Sequence, residues 1–134
     1  MGSYVRLKAA GEAYAVPVEH VLEAAELGRV RAVPGARPEL LGIKSVRGQI
    51  LPVADLGRLL GADGTAPPGS LLVAEALGFR VGFAIDQVTG VGELGELDED
   101  TESRFLAGTT LSDGELVGVV DMPRVFESLD GTRR

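Results

Sequence analysis

The chain of 134 residues contains no cysteine, no tryptophan and no asparagine, and only one histidine. The absence of cysteine excludes disulfides, thiol nucleophiles and zinc sites built on cysteine. The single histidine, His20, has no histidine partner for a metal site and no serine or cysteine nucleophile in view. The sequence therefore predicts no metal and no cofactor, and it is compatible with a reducing cytoplasm.

Positive charge is also scarce, since 13 Lys and Arg stand against 20 Asp and Glu and the formal net charge is −7. Such a surface repels a phosphate backbone, so no nucleic-acid partner is expected. No apolar run approaches the roughly 18 residues that span a bilayer, and the charged N-terminal segment does not fit a signal peptide. We expect a cytoplasmic protein that does not insert into the membrane directly.

The residues that are present form short apolar segments separated by glycine-containing turns. Segments such as QILPVADL (49–56) and FRVGFAIDQV (79–88) are rich in branched residues, and turn signals such as Asp113-Gly114 stand between them. Short strands at this spacing are typical of small barrels or sandwiches. The sequence therefore predicts an all-β fold with short helical turns.

The chain also repeats itself. The stretch RGQILPVADLGRLL (47–60) returns 66 residues later as DGELVGVVDMPRVF (113–126). Glycine, aspartate and arginine recur in register, which a chance match of apolar residues would rarely produce. The identical positions are Gly48/Gly114, Val53/Val119, Asp55/Asp121 and Arg58/Arg124.

The duplication predicts how the chain is organised. We expect one domain over residues 1–134, built from two five-stranded SH3-like barrel subdomains in halves of about 12–62 and 70–127. Residues 3–9 precede the first repeat as 70–77 precede the second, and strand 3–9 is expected to join the second half.

One segment has the periodicity of a helix. VEHVLEAAEL (18–27) places apolar residues at i, i+3, i+4 and i+7. Its duplicate contains Gly90 and Gly92, each of which would cost a helix about 1 kcal/mol. Because equivalent halves should share a backbone, we interpret residues 21–27 as a strand.

Asp55 and Asp121 occupy equivalent places and suggest two different roles. Each precedes an apolar helical pattern, which is typical of a helix N-cap, and Pro123 suits a first helical turn. Two duplicated carboxylates could instead share a proton across a cleft, as in a small double-barrel hydrolase. The sequence favours capping.

Arg47 stands out because its surroundings repeat while the residue itself does not. It lies in a glycine turn between two apolar strands, and its duplicate is Asp113. Binding residues concentrate on loops of rigid scaffolds. The sequence alone leaves two possibilities open, a binding residue used by one half only and a solvated turn arginine.

The same region resembles a known signature. GIKSVRGQILPVADLGRLLG (42–61) is similar to the motif G-x-x-N-L-R-G-x-x-L-P-V-x-D-L of the CheW family, the bacterial chemotaxis coupling proteins. The family's Asn-Leu is Ser45-Val46 here, and the likeness covers about residues 4–127. The residues that match motif positions include Gly42, Arg47, Gly48, Pro52 and Asp55.

The resemblance implies a non-catalytic adaptor that bridges chemoreceptor cytoplasmic tips to the regulatory domain of a CheA-type histidine kinase, at membrane-associated receptor arrays. In the family, receptor contact includes the motif arginine, Arg47 here, and positions of a preceding strand that match Val21 and Glu23. In the family, receptor contact falls in the groove between the subdomains, whereas kinase contact uses strand surfaces away from that groove and builds alternating rings with the regulatory domain. A CheW-like adaptor of a type IV pilus pathway would look the same and stays an alternative.

Overall fold

The computed structural model describes residues 2–64 and 67–130. Over these ranges it has ten strands, two short helices, and a 3-10 turn at Val18–His20. The strands are β1 (Tyr4–Ala9), β2 (Glu12–Pro17), β3 (Val21–Glu26), β4 (Leu40–Val46), β5 (Gln49–Asp55), β6 (Ser70–Ala76), β7 (Phe79–Ile85), β8 (Gln87–Gly92), β9 (Leu106–Ser112) and β10 (Glu115–Val120), and the helices are α1 (Leu56–Leu59) and α2 (Met122–Ser128). The predicted all-β fold is confirmed, and so is the interpretation of the segment after the 3-10 turn as strand.

The strands form two five-stranded sheets of equivalent topology. One sheet has the order β8-β1-β2-β10-β9, and the other has the order β3-β6-β7-β5-β4. If each strand of the first repeat is replaced by its duplicate in the second, β1 by β6 and so on to β5 by β10, and the reverse, one strand order becomes the other. In each sheet a single pair is parallel, β2 with β10 and β7 with β5. The sequence repeat is thus a repeat of five strands and a helix.

The predicted subdomain halves, about 12–62 and 70–127, do not coincide with these sheets. The hairpin β1–β2 pairs with β8 and β10 of the second repeat, and the hairpin β6–β7 pairs with β3 and β5 of the first. Each repeat therefore gives its first hairpin to the sheet of the other. The sequence repeat identifies equivalent strands, but it cannot show which copy a strand pairs with, because the same apolar pattern fits either sheet.

The exchanged hairpins carry the shared core. Leu72 and Phe83 lie in the main cluster, while Leu71 and Ala84, on the opposite face of the same hairpin, lie in a second cluster. Because both faces are buried there, the strands carry continuous apolar runs, residues 71–74 of β6 and 81–85 of β7, instead of alternating. The ring of Phe126 from α2 packs edge-on against Phe83, with centroids 5.7 Å apart. The second repeat thereby contributes both the hairpin and the helix to this core.

Each sheet also encloses a smaller cluster of its own. Val53 belongs to the cluster of the β3–β7 sheet, and its duplicate Val119 belongs to that of the other sheet. Both are buried, as the repeat predicts.

The four two-residue hairpin turns within residues 2–64 and 67–130 share one backbone conformation. In each, a non-glycine residue is followed by glycine, and both have positive φ. This is the conformation of a type I′ turn, whose twist matches that of the flanking strands. Gly48 and Gly114 thus meet a backbone requirement, while the preceding residue is held at the tip of the hairpin. The four turns are Ala10-Gly11, Arg47-Gly48, Leu77-Gly78 and Asp113-Gly114.

Gly42 and its duplicate Gly108 allow β4 and β9 to approach closely the loop that precedes each of them in the chain. Antiparallel bridges at Arg31 and Asp98 tie the β3–β4 and β8–β9 connections to β4 and β9. A Cβ atom on Gly42 would lie 2.0 Å from the carbonyl oxygen of Arg31, and the φ of Gly42 is +151°. A Cβ atom on Gly108 would lie 2.7 Å from the carbonyl oxygen of Asp98. Backbone meets backbone here, so neither position has room for a side chain.

Asp55 and Asp121 cap the two helices, as predicted. The side chain of Asp55 accepts the backbone N–H of Arg58, and that of Asp121 accepts the backbone N–H of Arg124, each at 3.1 Å. A helix of one or two turns depends on such a cap, because its first N–H groups have no partner within the helix.

Replacing either aspartate by alanine is expected to lower the free energy of unfolding by about 0.5–2 kcal/mol, because one orphan N–H loses its acceptor. Urea denaturation of Asp55→Ala and Asp121→Ala measures the loss. Asp63→Ala, an exposed aspartate outside both helices, is the matched control. Two cap variants as stable as this control would contradict the capping role.

Candidate functional site

Arg47 lies at the exposed tip of the β4–β5 hairpin. The turn holds its backbone at a φ of 50°, and 79% of its side chain is exposed. Its Nε donates a hydrogen bond of 2.7 Å to Oε2 of Glu23 on β3. Because β3 and β4 are the two outer strands of their sheet, this ion pair connects opposite edges of one sheet.

The electrostatics of the pair keep Arg47 charged. The hydrogen bond that Arg47 donates to Glu23, and then the negative charge of Glu23, raise the pKa of Arg47 above its usual value. Among the residues that the structure describes, no other side chain pairs with this guanidinium, which leaves its two Nη groups for a partner. An exposed ion pair of this kind contributes little to folding. Its geometry is better suited to presenting charge than to holding the fold.

Val21, the third residue implied by the resemblance, has a different environment. A bulge in the pairing of β3 with β6 lies between Val21 and Glu23. Val21 is half-buried and packs against the main core. The structure therefore brings Glu23 and Arg47 together, whereas Val21 anchors the beginning of the strand that carries Glu23.

The remaining motif residues shape the scaffold around this pair. Gly42 permits the close approach of the Arg31 backbone, Gly48 permits the hairpin turn after Arg47, and Asp55 caps α1. Pro52 lies one residue before the parallel pairing of β5 with β7 begins at Val53. A proline fits there because it cannot donate a hydrogen bond to a strand ladder.

Asp113, the duplicate of Arg47, takes part in a different ion pair. Its Oδ2 accepts a hydrogen bond of 3.1 Å from Nη1 of Arg6 on β1. Both hairpin tips therefore carry an ion pair, but the charges at the two tips are inverted. This is the divergence that the sequence comparison singles out at position 47.

Sequence reasoning missed a second feature beside this hairpin, which we call the basic depression. Arg29, Arg31 and Lys44 surround an open hollow of about 390 Å³ whose apolar lining is Ile43 and Ile50. In a chain of net charge −7, three neighbouring cations are unusual. The signal that could have found them is a change of charge between duplicate positions, the same signal that marks the hairpin tips.

The acidic stretch 93–102 lies in the connection between β8 and β9. Its Leu94 and Leu97 pack against the core of their sheet, which turns the charged residues outward. Within residues 2–64 and 67–130, no three histidine, aspartate or glutamate side chains come close enough to hold a metal ion. His20 lies elsewhere, where its Nδ1 forms a hydrogen bond of 3.1 Å with the backbone oxygen of Glu75.

The described part of the chain also has no helix that is long and apolar enough to cross a membrane.

Comparison with known proteins identifies the family. The CheW-like domain family matches residues 3–130, nearly the whole chain. This chain belongs to the CheW family. The chemotaxis protein CheW of Thermotoga maritima is 29% identical over 125 residues, which cover 88% of this chain and 83% of that protein. The chemotaxis protein CheW of Rhizobium meliloti is 26% identical over 106 residues, which cover 72% of this chain and 68% of that protein.

Two further similarities concern the fold and a larger protein. The crystal structure of the scaffolding protein TtCheW from Thermoanaerobacter tengcongensis matches with a TM-score of 0.81 at 22% identity, covering 94% of this chain and 92% of that one. The chemotaxis protein CheA of Salmonella typhimurium is 26% identical over 123 residues. That match covers 87% of this chain but only 18% of CheA, so one segment of CheA is similar to nearly all of this CheW-family chain.

Membership of the CheW family makes this chain a non-catalytic adaptor of chemotaxis signalling. The alternative of a small hydrolase that uses Asp55 and Asp121 is therefore wrong. The structure gives the physical reason, since each carboxylate accepts the N–H of its own helix.

Proposed function

We propose that this CheW-family adaptor contacts a chemoreceptor cytoplasmic tip through Arg47 and Glu23. It thereby couples the receptor to the regulatory domain of a CheA-type histidine kinase, in the cytoplasm at membrane-associated receptor arrays. The observation that carries the proposal is the 2.7 Å ion pair between these two side chains, which are 24 residues apart in the sequence. The resemblance implies both positions independently, and their contact supports a single binding surface.

The chemistry of the pair fits a helical partner. The Nη groups of Arg47 offer a planar fork of donors that matches a carboxylate or two carbonyl oxygens at a helix end. Glu23 fixes the orientation of that fork through Nε, and its remaining lone pairs can accept a hydrogen bond from the partner. Because Arg47 is oriented before binding, less side-chain entropy is lost when the complex forms.

The kinase partner is supported by a separate observation. A segment of Salmonella typhimurium CheA is similar to nearly all of this chain, so that kinase contains a module of the same family. We assign kinase binding to strand surfaces away from the Glu23–Arg47 pair. The two partners can then be bound at the same time, as an adaptor requires.

Reconstitution of the three components tests the proposal. Receptor cytoplasmic fragments are clustered on vesicles, a CheA-type kinase from the same organism is added, and phosphorylation of the kinase from ATP is followed with and without this chain. We expect receptor-dependent kinase activity only when the chain is present. Kinase activity that is the same with and without it would contradict the proposed coupling.

A further inference from the structure

One hydroxyl group lies among the cations of the basic depression. Ser45 on β4 lines this hollow together with Arg29, Arg31 and Lys44. Its side chain is exposed, and β4 is an outer strand of its sheet. Ser45 also lies only two residues before Arg47, at the tip of the hairpin. A modifying enzyme can therefore reach this hydroxyl without unfolding the sheet.

The cations around Ser45 have no ion-pair partners within residues 2–64 and 67–130. Six ion pairs join other side chains there, and none of them involves Arg29, Arg31 or Lys44. Lys44 is half-buried, and its Nζ donates a long hydrogen bond of 3.4 Å to the backbone oxygen of Arg29. Like charges around one hollow repel one another, and an anion placed among them removes that repulsion.

The hydroxyl is specific to the first repeat. The duplicate of Ser45 is Leu111, and the CheW-family motif has asparagine at the position of Ser45. The cross-strand neighbours remain alike, because Ile50 lies opposite Ser45 and Leu116 lies opposite Leu111. The first repeat of this chain therefore has a phosphoryl acceptor where the second has none.

The cations are specific to the first repeat as well. Arg31 and its duplicate Asp98 bridge to equivalent strands, so matched backbones carry opposite charges. Residues 28–32 contain two arginines and no acid, whereas residues 95–100 contain four acids and no base. The acceptor and the cations thus occur together in one repeat and are absent together from the other.

We propose that Ser45 is a phosphorylation site and that the basic depression holds its phosphate. The reaction needs ATP and a serine kinase of the same cell. The Oγ atom of Ser45 attacks the γ-phosphorus of ATP, and the new O–P bond forms while the bond from that phosphorus to the β,γ-bridging oxygen breaks. ADP leaves, and the hydroxyl proton passes to a base of the kinase. The site goes beyond the proposed receptor coupling and does not depend on it.

The depression matches the chemistry of a phosphate monoester. A phosphoserine carries a charge of about −1.5 to −2 at neutral pH and three acceptor oxygens. Arginine can donate two parallel hydrogen bonds to such oxygens, and lysine adds a point charge. The backbone of Arg31 is fixed beside the acceptor, because its N–H and carbonyl groups form hydrogen bonds of 2.9 and 2.8 Å with Ile43, two residues before Ser45.

A covalently attached phosphate suits this chain better than a free anion. The net charge of −7 repels a free phosphate or nucleotide as it approaches. A phosphate attached to Ser45 stays next to the cations, and its high effective concentration offsets that repulsion.

Phosphate on Ser45 adds negative charge two residues from Arg47, so it is expected to weaken the proposed receptor contact about tenfold or more. This consequence rests on the proposed function, whereas the site itself does not. Isothermal titration of a receptor fragment with the unmodified and the phosphorylated chain measures the change. Equal affinities would overturn this regulation. Receptor binding that Arg47→Glu leaves unchanged would instead contradict the proposed receptor site.

Phosphorus NMR of a chain made with phosphoserine at position 45 tests whether the cations hold the phosphate. The second pKa of an exposed phosphoserine is about 6. Neighbouring cations favour the doubly charged form, so we expect a lower pKa at position 45. Adding Arg29→Gln/Arg31→Gln should return that pKa toward its usual value.

The duplicate position supplies the matched control. Leu111→phosphoserine places the same group at an equivalent exposed position beside the acidic connection, where its second pKa should stay at about 6 or rise. Equal pKa values at positions 45 and 111 would overturn the proposal. A shifted pKa of inorganic phosphate mixed with the unmodified chain would overturn it too, since the depression would then bind a free anion.

Mass spectrometry of the chain isolated from its own cells, during growth and during starvation, tests whether the modification occurs. We expect a phosphorylated peptide whose fragment ions place the phosphate on Ser45. The Ser45→Ala variant, expressed in the same cells, should lack this phosphate. If Ser45 carries no phosphate in either condition, the proposal is wrong.

Discussion

Arg47→Glu is expected to weaken binding of a receptor cytoplasmic tip by about 100-fold or more, because repulsion replaces attraction in a contact that loses water on binding. The substitution acts twice. It removes the donor fork that the Nη groups of Arg47 present. It also places a second carboxylate near Glu23, whose Oε2 now lies 2.7 Å from Nε of Arg47. Isothermal titration with a purified receptor fragment measures the change.

Two milder substitutions separate charge from geometry. Arg47→Lys retains the positive charge but loses the planar fork, so receptor binding should still fall clearly. Glu23→Gln retains a hydrogen-bond acceptor for Nε without the charge, and we expect a smaller loss than for Arg47→Glu. If Arg47→Lys bound the receptor as well as the unmodified chain, the contact would depend on charge alone.

The matched control is Arg80→Glu. Arg80 lies on the same sheet, and its Nε donates a 3.0 Å hydrogen bond to Glu75, so the substitution breaks a comparable exposed ion pair. Receptor binding should survive it. Kinase binding should survive Arg47→Glu, and so should folding, because an exposed ion pair contributes little to stability. An Arg47→Glu variant with unchanged receptor affinity, or one that loses both partners together, would contradict the anchor role.

Local features of the fold could be predicted from the sequence because they depend on neighbouring residues. The pair Arg47-Gly48 predicts a hairpin turn, since glycine tolerates positive φ, and the structure has a type I′ turn there. Asp55 and Asp121 predict caps because an aspartate before an apolar helical pattern accepts the orphan N–H groups. Residues 18–27 have the periodicity of a helix, but the repeat indicates a strand, because Gly90 and Gly92 disfavour a helix at the duplicate positions.

The exchange of hairpins between the repeats could not be predicted in this way. Strand pairing between β2 and β10 is long-range, and the apolar pattern of β2 is compatible with either sheet. A signal was present in the continuous apolar runs of β6 and β7, which indicate strands buried on both faces. The runs reveal that these strands are central, but they do not reveal which copy of β5 or β10 lies beside them.

The two positions of the candidate site, Arg47 and Glu23, could be predicted, but the contact between them could not. The motif marks Arg47, and the resemblance implies Glu23, yet their ion pair depends on the curl of a sheet that brings its two outer strands close together. The basic depression depends on the same curl, because the bridge at Arg31 places Arg29 and Arg31 beside Lys44. Residues that are far apart in sequence thus acquire a common surface only through the closing of the sheet.

That closing depends on Gly42, and Gly42→Ala is expected to lower the free energy of unfolding by about 2–6 kcal/mol. Overpacking costs about 1–3 kcal/mol, and a strained backbone conformation adds about 1–3 kcal/mol. Both apply here, because the new Cβ would lie 2.0 Å from the carbonyl oxygen of Arg31 and the φ of Gly42 is +151°. Urea denaturation measures the loss, which would be a large fraction of the stability of a typical domain.

Two other glycines calibrate the expected effect of Gly42→Ala. Gly90 in β8 has no atom within 4 Å of a built Cβ and no positive φ, so Gly90→Ala should change stability little. Gly108, whose Cβ would lie 2.7 Å from the carbonyl oxygen of Asp98, lacks the positive φ and should give an intermediate loss when replaced by alanine. The expected order of destabilisation is therefore Gly42, then Gly108, then Gly90. A Gly42→Ala variant as stable as Gly90→Ala would show that the connection at Arg31 moves freely, and that the bridge does not hold the sheet closed around the Glu23–Arg47 pair.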